Sequence, residues 1–380
     1  MTSRERFLAV MAFEPCDRSL DWENGIWHTT IERWYGEGLP RQTGEPDTIN
    51  VTGRVYFSLL DDYLGLDAWP RSLPVNASPL PPLPRRVFEE TPEHVTMLND
   101  WGIKMIVRKD GDAIPHFVEH PVKTRADFAR YRERLALSPA GRYPADWPDL
   151  AARLKKRDYV LAASDYPFGF FGFARELMGF EGLMYALYDD PGLVREIMAF
   201  VADFLMAVWE KALVDTEPDF FRIWEDMCYK NGPLISPAMF REFMLPQYRR
   251  LTGFLRDCGC RNILVDTDGA CMDLIPLFLE AGVTGLYPFE CQSGMDVVKV
   301  RECFPRLQMI GGIDKRALAA GRGAIDDELR YKLPFLLSRG GYIPHIDHFV
   351  PPDVSWDSFR HYRLRVKEML YSHPVRGGRG

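Results

Sequence analysis

Residues 262–269 (NILVDTDG) place two carboxylates, Asp266 and Asp268, at the end of an apolar run. Side chains two positions apart on a strand share one face, so we expect the two carboxylates to lie within about 7 Å of each other. Like charges at that distance raise the pKa of one carboxyl group unless a cation separates them. The spacing therefore indicates a divalent cation site, although an aspartate before a glycine and a helix is also a common helix cap.

Two further groups end later apolar runs, Glu290 at the next one and His348 at the last. Carboxylate oxygens and imidazole nitrogens are ligands for zinc, manganese or iron. His345 and Asp347 are weaker candidates, because they share the strand face opposite to His348. The predicted metal ligands are Asp266, Asp268, Glu290 and His348.

Acid–base chemistry is the other use for such groups. Asp268 and His348 are also predicted catalytic residues, together with Glu225 at the end of an earlier run. A positioned carboxyl group or imidazole transfers protons well when its pKa lies near the working pH. Each of these residues alone is explained equally well by helix capping, whereas their convergence at one end of a fold favours a site.

The elements that must position these groups are short apolar strands alternating with helices from about residue 122 onward. The predicted strands are 159–166, 220–227, 262–269, 285–290, 307–314 and 341–348. The predicted helices are 171–187, 191–215, 236–258, 270–281, 294–303, 315–320 and 325–338. With one or two earlier strands, Leu20-Asp21-Trp22 being a candidate, this α/β alternation predicts a (β/α)8 TIM barrel. Active sites of such barrels lie at the C-terminal ends of the strands.

The predicted domain organisation is a single barrel domain over residues 1–370. A helical N-terminal extension begins it, with Thr2 and Glu5 spaced as a capping box. Residues 40–120 form an insertion with a small β-hairpin or meander, indicated by period-two alternation and turn residues. Residues 371–380 are predicted to be a flexible tail.

Composition excludes several classes of partner. The formal net charge is −7, which argues against nucleic-acid binding. The apolar runs are much shorter than the roughly 20 residues that cross a bilayer, so no membrane association is expected. Seven cysteines, without a secretory signal, indicate free thiols in a reducing cytoplasm.

Four segments of the chain resemble the uroporphyrinogen decarboxylase (URO-D) superfamily. They are EDMCYKNGPLISPAMFREFMLPQYRRL (225–251), DTDGACMDLIPLFLEAGVTGLYPFE (266–290), GMDVVKVRECFP (294–305) and MIGGIDKRAL (309–318). The resemblance extends from the N-terminus to about residue 370, and it implies a (β/α)8 barrel.

The superfamily contains metal-free decarboxylases and corrinoid-linked zinc methyltransferases. The decarboxylases carry an RQAGR motif, and residues 20–40 (LDWENGIWHTTIERWYGEGLP) lack it. Asp21 and Glu23 suggest instead an acidic mouth, where each mispaired charge on a polycarboxylate would cost about 4 kcal/mol at 4 Å. Uroporphyrinogen itself is therefore not the expected substrate.

The chain is more similar to the methyltransferase branch, whose zinc is held by a His-x-Cys pair, sometimes a glutamate on the next strand, and a late cysteine. The positions that match are those of the predicted ligands, although the residue types differ. The resemblance implies a divalent metal, zinc being favoured, and a corrinoid carried by a partner protein. Aromatic residues at the expected mouth would bind a flat substrate, unless they belong to the core; those predicted are Trp22, Trp27, Tyr166 and Trp224.

Three functions follow from this reading. The first is a metal-dependent methyltransferase that moves a methyl group from an O-methyl donor, such as an aryl methyl ether, to a corrinoid protein. The second is a metal-free lyase, in which Asp266 or Asp268 is the general acid and His348 donates a proton. The third is a barrel that binds a tetrapyrrole without turnover.

Overall fold

The structure, a computed structural model, describes residues 1–41, 48–49, 54–56, 58–109 and 114–377. The first elements are α1 (Ser3–Met11), β1 (Ile26–Trp27), α2 (His28–Gly36), β2 (Thr48–Ile49), β3 (Arg54–Tyr56), α3 (Ser58–Leu64), β4 (Arg71–Ser72), β5 (Arg86–Glu90), β6 (His94–Leu98), β7 (Lys104–Arg108), β8 (His116–Glu119), α4 (Arg125–Tyr131) and α5 (Trp147–Lys155). Within the described ranges, no helix combines the length and the apolar character that a membrane span requires.

The remaining elements alternate as predicted. They are β9 (Leu161–Ala163), α6 (Phe170–Met178), α7 (Phe180–Asp189), α8 (Pro191–Thr216), β10 (Phe220–Trp224), β11 (Cys228–Tyr229), β12 (Gly232–Pro233), α9 (Pro237–Met239), α10 (Leu245–Asp257), β13 (Ile263–Thr267), α11 (Ile275–Glu280), β14 (Gly285–Pro288), α12 (Val297–Cys303), β15 (Gln308–Ile310), α13 (Lys315–Ala320), α14 (Arg322–Leu337), β16 (Tyr342–Ile343) and α15 (Trp356–Ser372).

Seven strands form one curled parallel sheet in the order β4-β9-β10-β13-β14-β15-β16. This is the predicted α/β class with a TIM-barrel-like arrangement. The candidate strand Leu20-Asp21-Trp22 does not join a ladder. Its surroundings nevertheless contact both edges of the sheet, because the Ser19 hydroxyl donates to the Tyr342 carbonyl at 2.7 Å and the Asp67 amide donates to the Asp21 carbonyl at 3.0 Å.

The interior of the sheet contains an apolar cluster, which α1 closes at the N-terminal end. Alternate strand residues fill it, including Ala162, Phe220, Leu264, Ile310 and Ile343. Phe7, Val10 and Met11 of α1 pack into the same cluster, and the amide that precedes β16 at position 341 donates to the Val10 carbonyl at 2.7 Å. Polar groups that follow the strands therefore gather at the opposite, C-terminal end.

Local sequence signals set the helix starts as predicted. The Thr2 hydroxyl accepts from the Glu5 amide at 3.1 Å, and Glu5 accepts from the Thr2 amide at 2.7 Å, so the capping box is confirmed. A capping box stabilises a helix start by satisfying amides that have no helical partner. α1, which closes the sheet, is thereby fixed at its first turn.

The structure also describes the insertion and most of the tail. The insertion contains a four-stranded antiparallel meander, β5-β6-β7-β8, which is one of the two predicted forms. In the tail, Ser372 still belongs to α15, and Val375 pairs with Cys16 through amide–carbonyl hydrogen bonds of 3.1 Å in both directions. The chain is thus hydrogen-bonded to the fold as far as Val375, and the flexibility expected from residue 371 stays a prediction; residues 378–380 lie outside the described residues.

Candidate functional site

Three of the predicted ligands converge in the loops that follow β13, β14 and β16. Asp268, Glu290 and His348 each offer one oxygen or nitrogen atom, and the three atoms all lie within 4.8 Å of one another. The distance from His348 Nε2 to the nearer carboxylate oxygen of Asp268 is 3.5 Å. All three side chains are half-buried. We call these three residues the triad.

Glycine at position 269 allows Asp268 and Glu290 to approach. Gly269 has φ +77°, and a Cβ there would lie 2.6 Å from the backbone of Cys228, so another residue would be both strained and obstructed. The Gly269 amide donates to a carboxylate oxygen of Glu290 at 3.0 Å. The turn after β13 therefore orients the ligand that follows β14.

Charge compensation around the triad comes from Lys315 at the start of α13. Its Nζ lies 3.9 Å from Glu290 and 4.0 Å from Asp347. Sequence reasoning missed Lys315. A signal existed, because a lysine at a helix N-terminus opposes the helix dipole and is therefore expected to have acidic neighbours.

The pKa of His348 reflects two opposing influences. Burial lowers it, but the hydrogen bond and the negative charge of Asp268 outweigh burial, and the pKa of His348 is raised above its usual value. The site therefore stabilises positive charge at this imidazole. A divalent cation between Asp268 and His348 would meet the same electrostatic preference.

Asp266, the fourth predicted ligand, is not in the triad. It lies inside β13, paired with Trp224 on one side and Tyr287 on the other. β13 ends at Thr267, so Asp268 has already left the ladder. The same-face rule for positions two apart applies only within a strand, so it does not extend from Asp266 to Asp268.

His345 and Asp347 are fully buried and serve the backbone. Asp347 accepts from the amide of Cys291 at 2.9 Å and from that of Lys315 at 3.2 Å. His345 Nδ1 bonds to the Ile346 carbonyl. Burial lowers the pKa of His345 to about 4, so its imidazole is neutral at pH 7.

Glu225, predicted to be catalytic, has both carboxylate oxygens engaged elsewhere. It is fully buried and accepts the amides of Phe170, Phe171 and Gly172 at 2.7 to 2.9 Å, as well as the Tyr248 hydroxyl at 2.6 Å. These amides form the first turn of α6, so the contacts are those of a helix cap. Burial raises the pKa of Glu225, although these hydrogen bonds oppose the shift. The alternative explanation, capping, accounts for its position.

The predicted aromatic residues divide into core and rim. Trp22 is buried in the interior cluster, and its indole N–H donates to the Ala68 carbonyl at 3.0 Å. This position fits the alternative left open for the aromatic residues, a place in the core. Trp27, by contrast, packs edge-on against Phe349, which follows His348, with ring centroids 5.3 Å apart.

The other two aromatic residues, Tyr166 and Trp224, form an edge-to-face pair with centroids 4.7 Å apart. Tyr166 is 43% exposed, and its hydroxyl donates to Glu176 at 2.8 Å. The guanidinium of Arg175 lies over the Trp224 ring at 5.0 Å. Tyr166 follows β9 and Trp224 is the last residue of β10, so both lie at the same end of the sheet as the triad.

Asp21 and Glu23 do not form the expected acidic mouth. Asp21 and Glu23 are buried and both bind the guanidinium of Arg363 on α15, with 2.9 Å to Glu23. A charge that is paired with a buried arginine does not repel a distant anion as a lone carboxylate would. The prediction failed because Arg363 lies more than 300 residues away along the chain.

Comparisons with known proteins agree with this architecture. The profile of the family described as Uroporphyrinogen decarboxylase (URO-D) matches residues 94–369, which is most of the chain. Among solved structures, a methyltransferase from Methanosarcina mazei aligns with 97% of this chain and 99% of its own, at a TM-score of 0.58 and 15% identity. That identity establishes a shared fold alone. The search of curated proteins gave no match.

Proposed function

The chain belongs to the uroporphyrinogen decarboxylase family, and within that family we propose that it is a metal-dependent methyltransferase. The methyl group would move from an O-methyl donor, such as an aryl methyl ether, to a corrinoid carried by a partner protein. The observation that carries the proposal is the convergence of Asp268, Glu290 and His348 on one point. The fold shared with the Methanosarcina methyltransferase supports it.

The donor atoms of the triad fit a divalent cation. Two carboxylates and one imidazole leave a coordination position open, as catalytic metal sites do. Because the set has no thiolate, it suits zinc but also manganese or iron(II). The site favours positive charge at His348, and the ammonium of Lys315 lies near Glu290. Both observations reflect the negative charge of Asp268 and Glu290.

The residues around the triad have separable tasks in this proposal. Asp268, Glu290 and His348 would hold the cation, which when bound supplies Lewis acidity to the ether oxygen of the donor. Trp27 and Tyr166, which pack against the buried rings of Phe349 and Trp224, would provide flat surfaces for an aryl group. Lys315 offsets the charge of Glu290.

Metal analysis tests the proposal directly. Protein purified without chelators should contain about one equivalent of a divalent metal. His348→Ala should lower the affinity by more than about 100-fold, because even changes outside the ligand set cost about 10- to 100-fold. Methyl transfer from aryl methyl ethers to free cob(I)alamin should fall in parallel.

Asp273→Ala is the matched control, since Asp273 is an exposed carboxylate five residues from Asp268. It should leave metal content unchanged. A wild-type protein without bound metal, or one whose metal survives His348→Ala, would exclude this function.

One observation favours the second candidate, a metal-free lyase acting on a tetrapyrrole or another carboxylated substrate. The single guanidinium of Arg363 binds both Asp21 and Glu23, so these two buried carboxylates argue less strongly against a polycarboxylate. Release of CO₂ from uroporphyrinogen that persists in EDTA would establish the lyase. Chelator-sensitive methyl transfer would establish the methyltransferase.

A further inference from the structure

A closed circuit of contacts connects the three loops that carry the triad. The Gly269 amide, next to Asp268, donates to Glu290 at 3.0 Å. The Cys291 amide, next to Glu290, donates to Asp347 at 2.9 Å. Asp347 directly precedes His348, which returns to Asp268 at 3.5 Å. Asp347 is thus the one carboxylate in the circuit that is not a member of the triad.

The position of Asp347 is fixed independently of the triad. Its own amide donates to the Ile313 carbonyl at 2.8 Å, which ties it to the segment after β15. Its second oxygen accepts the Lys315 amide at 3.2 Å, at the first turn of α13. With the side chain fully buried, Asp347 joins the loops after β14, β15 and β16.

Burying a carboxylate costs free energy unless both of its oxygens accept hydrogen bonds. Asp347 uses one oxygen for the amide after Glu290 and the other for the amide of Lys315. Lys315 Nζ, at 4.0 Å, compensates part of its charge. An apolar residue would fill the space but leave two buried amides without acceptors.

We propose that Asp347 is a positioning residue for the cation site, which holds Glu290 and His348 at ligating distance without itself binding the metal. The inference rests on the proposed metal-dependent function. Groups outside a ligand set that orient the ligands change metal affinity by about 10- to 100-fold when they are removed. Metal affinity should therefore depend on a carboxylate that makes no bond to the metal.

The test compares Asp347→Asn and Asp347→Ala with the wild-type protein. Asparagine preserves the volume but has one oxygen, so it can accept only one of the two amides. Competitive titration with Zn²⁺ and Co²⁺ should show affinities reduced by about 10- to 100-fold, with alanine at least as severe. The visible spectrum of bound Co²⁺ should also shift, because the ligand geometry changes.

Asp219→Asn is the matched control. Asp219 is also a buried carboxylate that accepts a backbone amide, that of Leu161 at 2.8 Å, but it precedes β10 at the opposite end of the sheet. It should lower stability without changing the Co²⁺ spectrum or the metal affinity. Equal effects of Asp219→Asn and Asp347→Asn on metal affinity would reduce Asp347 to a general stabilising residue and overturn the inference.

Hydrogen exchange separates failure of this inference from failure of the proposed function. If the wild-type protein binds no metal, the proposed function is excluded. Asp347→Ala, which removes both acceptors, should still accelerate exchange at the amides of Cys291 and Lys315 relative to Asp219→Asn. Unchanged exchange at both amides would show that Asp347 does not hold these loops, whatever the metal result.

Discussion

Asp219, at the N-terminal end of the curled sheet, and Glu290, at its C-terminal end, have different charged partners. At the N-terminal end, buried Asp219 contacts the guanidinium groups of Arg4 at 2.8 Å and Arg157 at 3.0 Å. At the C-terminal end, Glu290 meets Lys315 only at 3.9 Å, beyond hydrogen-bond distance, while facing Asp268 and His348. Charges paired within hydrogen-bond distance stabilise a fold. Donor atoms that lie within 4.8 Å of one another, as those of the triad do, are instead typical of a cation site.

The largest effect on stability is expected for Asp219→Ala. Removing this carboxylate leaves the buried guanidinium of Arg157 without its anionic partner, a change that typically costs about 3–5 kcal/mol. Urea denaturation should show this loss of unfolding free energy, while the affinity for Zn²⁺ stays the same.

Arg4→Ala provides the graded control, because the Arg4 side chain is 26% exposed and keeps access to solvent. Its loss should cost clearly less than that of Asp219. If Asp219→Ala weakened Zn²⁺ binding as strongly as His348→Ala, the two ends would not be independent, and the distinction drawn between them would fail.

Lys315→Met tests the charge beside Glu290 at the C-terminal end of the sheet. Removing a positive charge about 4 Å from Glu290 should strengthen cation binding, since such a charge is worth about 1 kcal/mol even in water. We expect the affinity for Zn²⁺ to rise by about fivefold or more. Competition with a chelating dye measures it.

Methionine retains most of the lysine stem, so packing at the start of α13 is preserved, and so is the backbone amide that Asp347 accepts. Lys315→Arg, which keeps the charge, is the control and should change the affinity little. Weaker Zn²⁺ binding by Lys315→Met would show that Lys315 orients a ligand rather than opposing the cation.

The fold was largely predictable because its signals are local. Each apolar run bounded by turns became a strand in the predicted order, and the capping box at Thr2 formed as expected. The strands are shorter than their apolar runs: 262–269 contributes only Ile263–Thr267. Residues 20–22 carry the same kind of pattern without a ladder, because pairing depends on partners that lie far away in the chain.

The candidate site was predictable in part, because strand ends collect at one edge of a parallel sheet. Glu225 and Glu290 both follow strands, yet one caps α6 and the other joins the triad. Nothing near either residue distinguishes them, since the amides of Phe170 to Gly172 that Glu225 accepts come from a separate helix. Lys315 and Arg363 compensate the charge of carboxylates that lie far away in the sequence. Composition does not show which charges will be neighbours in the fold.

The smallest expected effect is a pH dependence of opposite sign at the two ends. Beside α1, the hydrogen bonds and charge of Arg18 outweigh burial and lower the pKa of Asp67. Asp67 therefore stabilises the fold above its ordinary pKa of about 3.9, and this contribution is lost as the pH falls through the lowered value. The raised pKa of His348 has the reverse effect in metal-free protein: its contribution is complete below about pH 6.5 and is lost as the pH rises through the raised value.

Urea denaturation across this pH range, with Asp67→Asn and His348→Gln, separates the two contributions. Asp67→Asn should reduce the pH dependence of the unfolding free energy in its acid limb. His348→Gln should reduce it in the neutral limb. Metal binding requires a neutral imidazole, so saturating Zn²⁺ should remove the His348 contribution and leave that of Asp67 intact. If Zn²⁺ altered both limbs equally, or neither, the cation would not be bound at His348, and the proposed cation site would have to be abandoned.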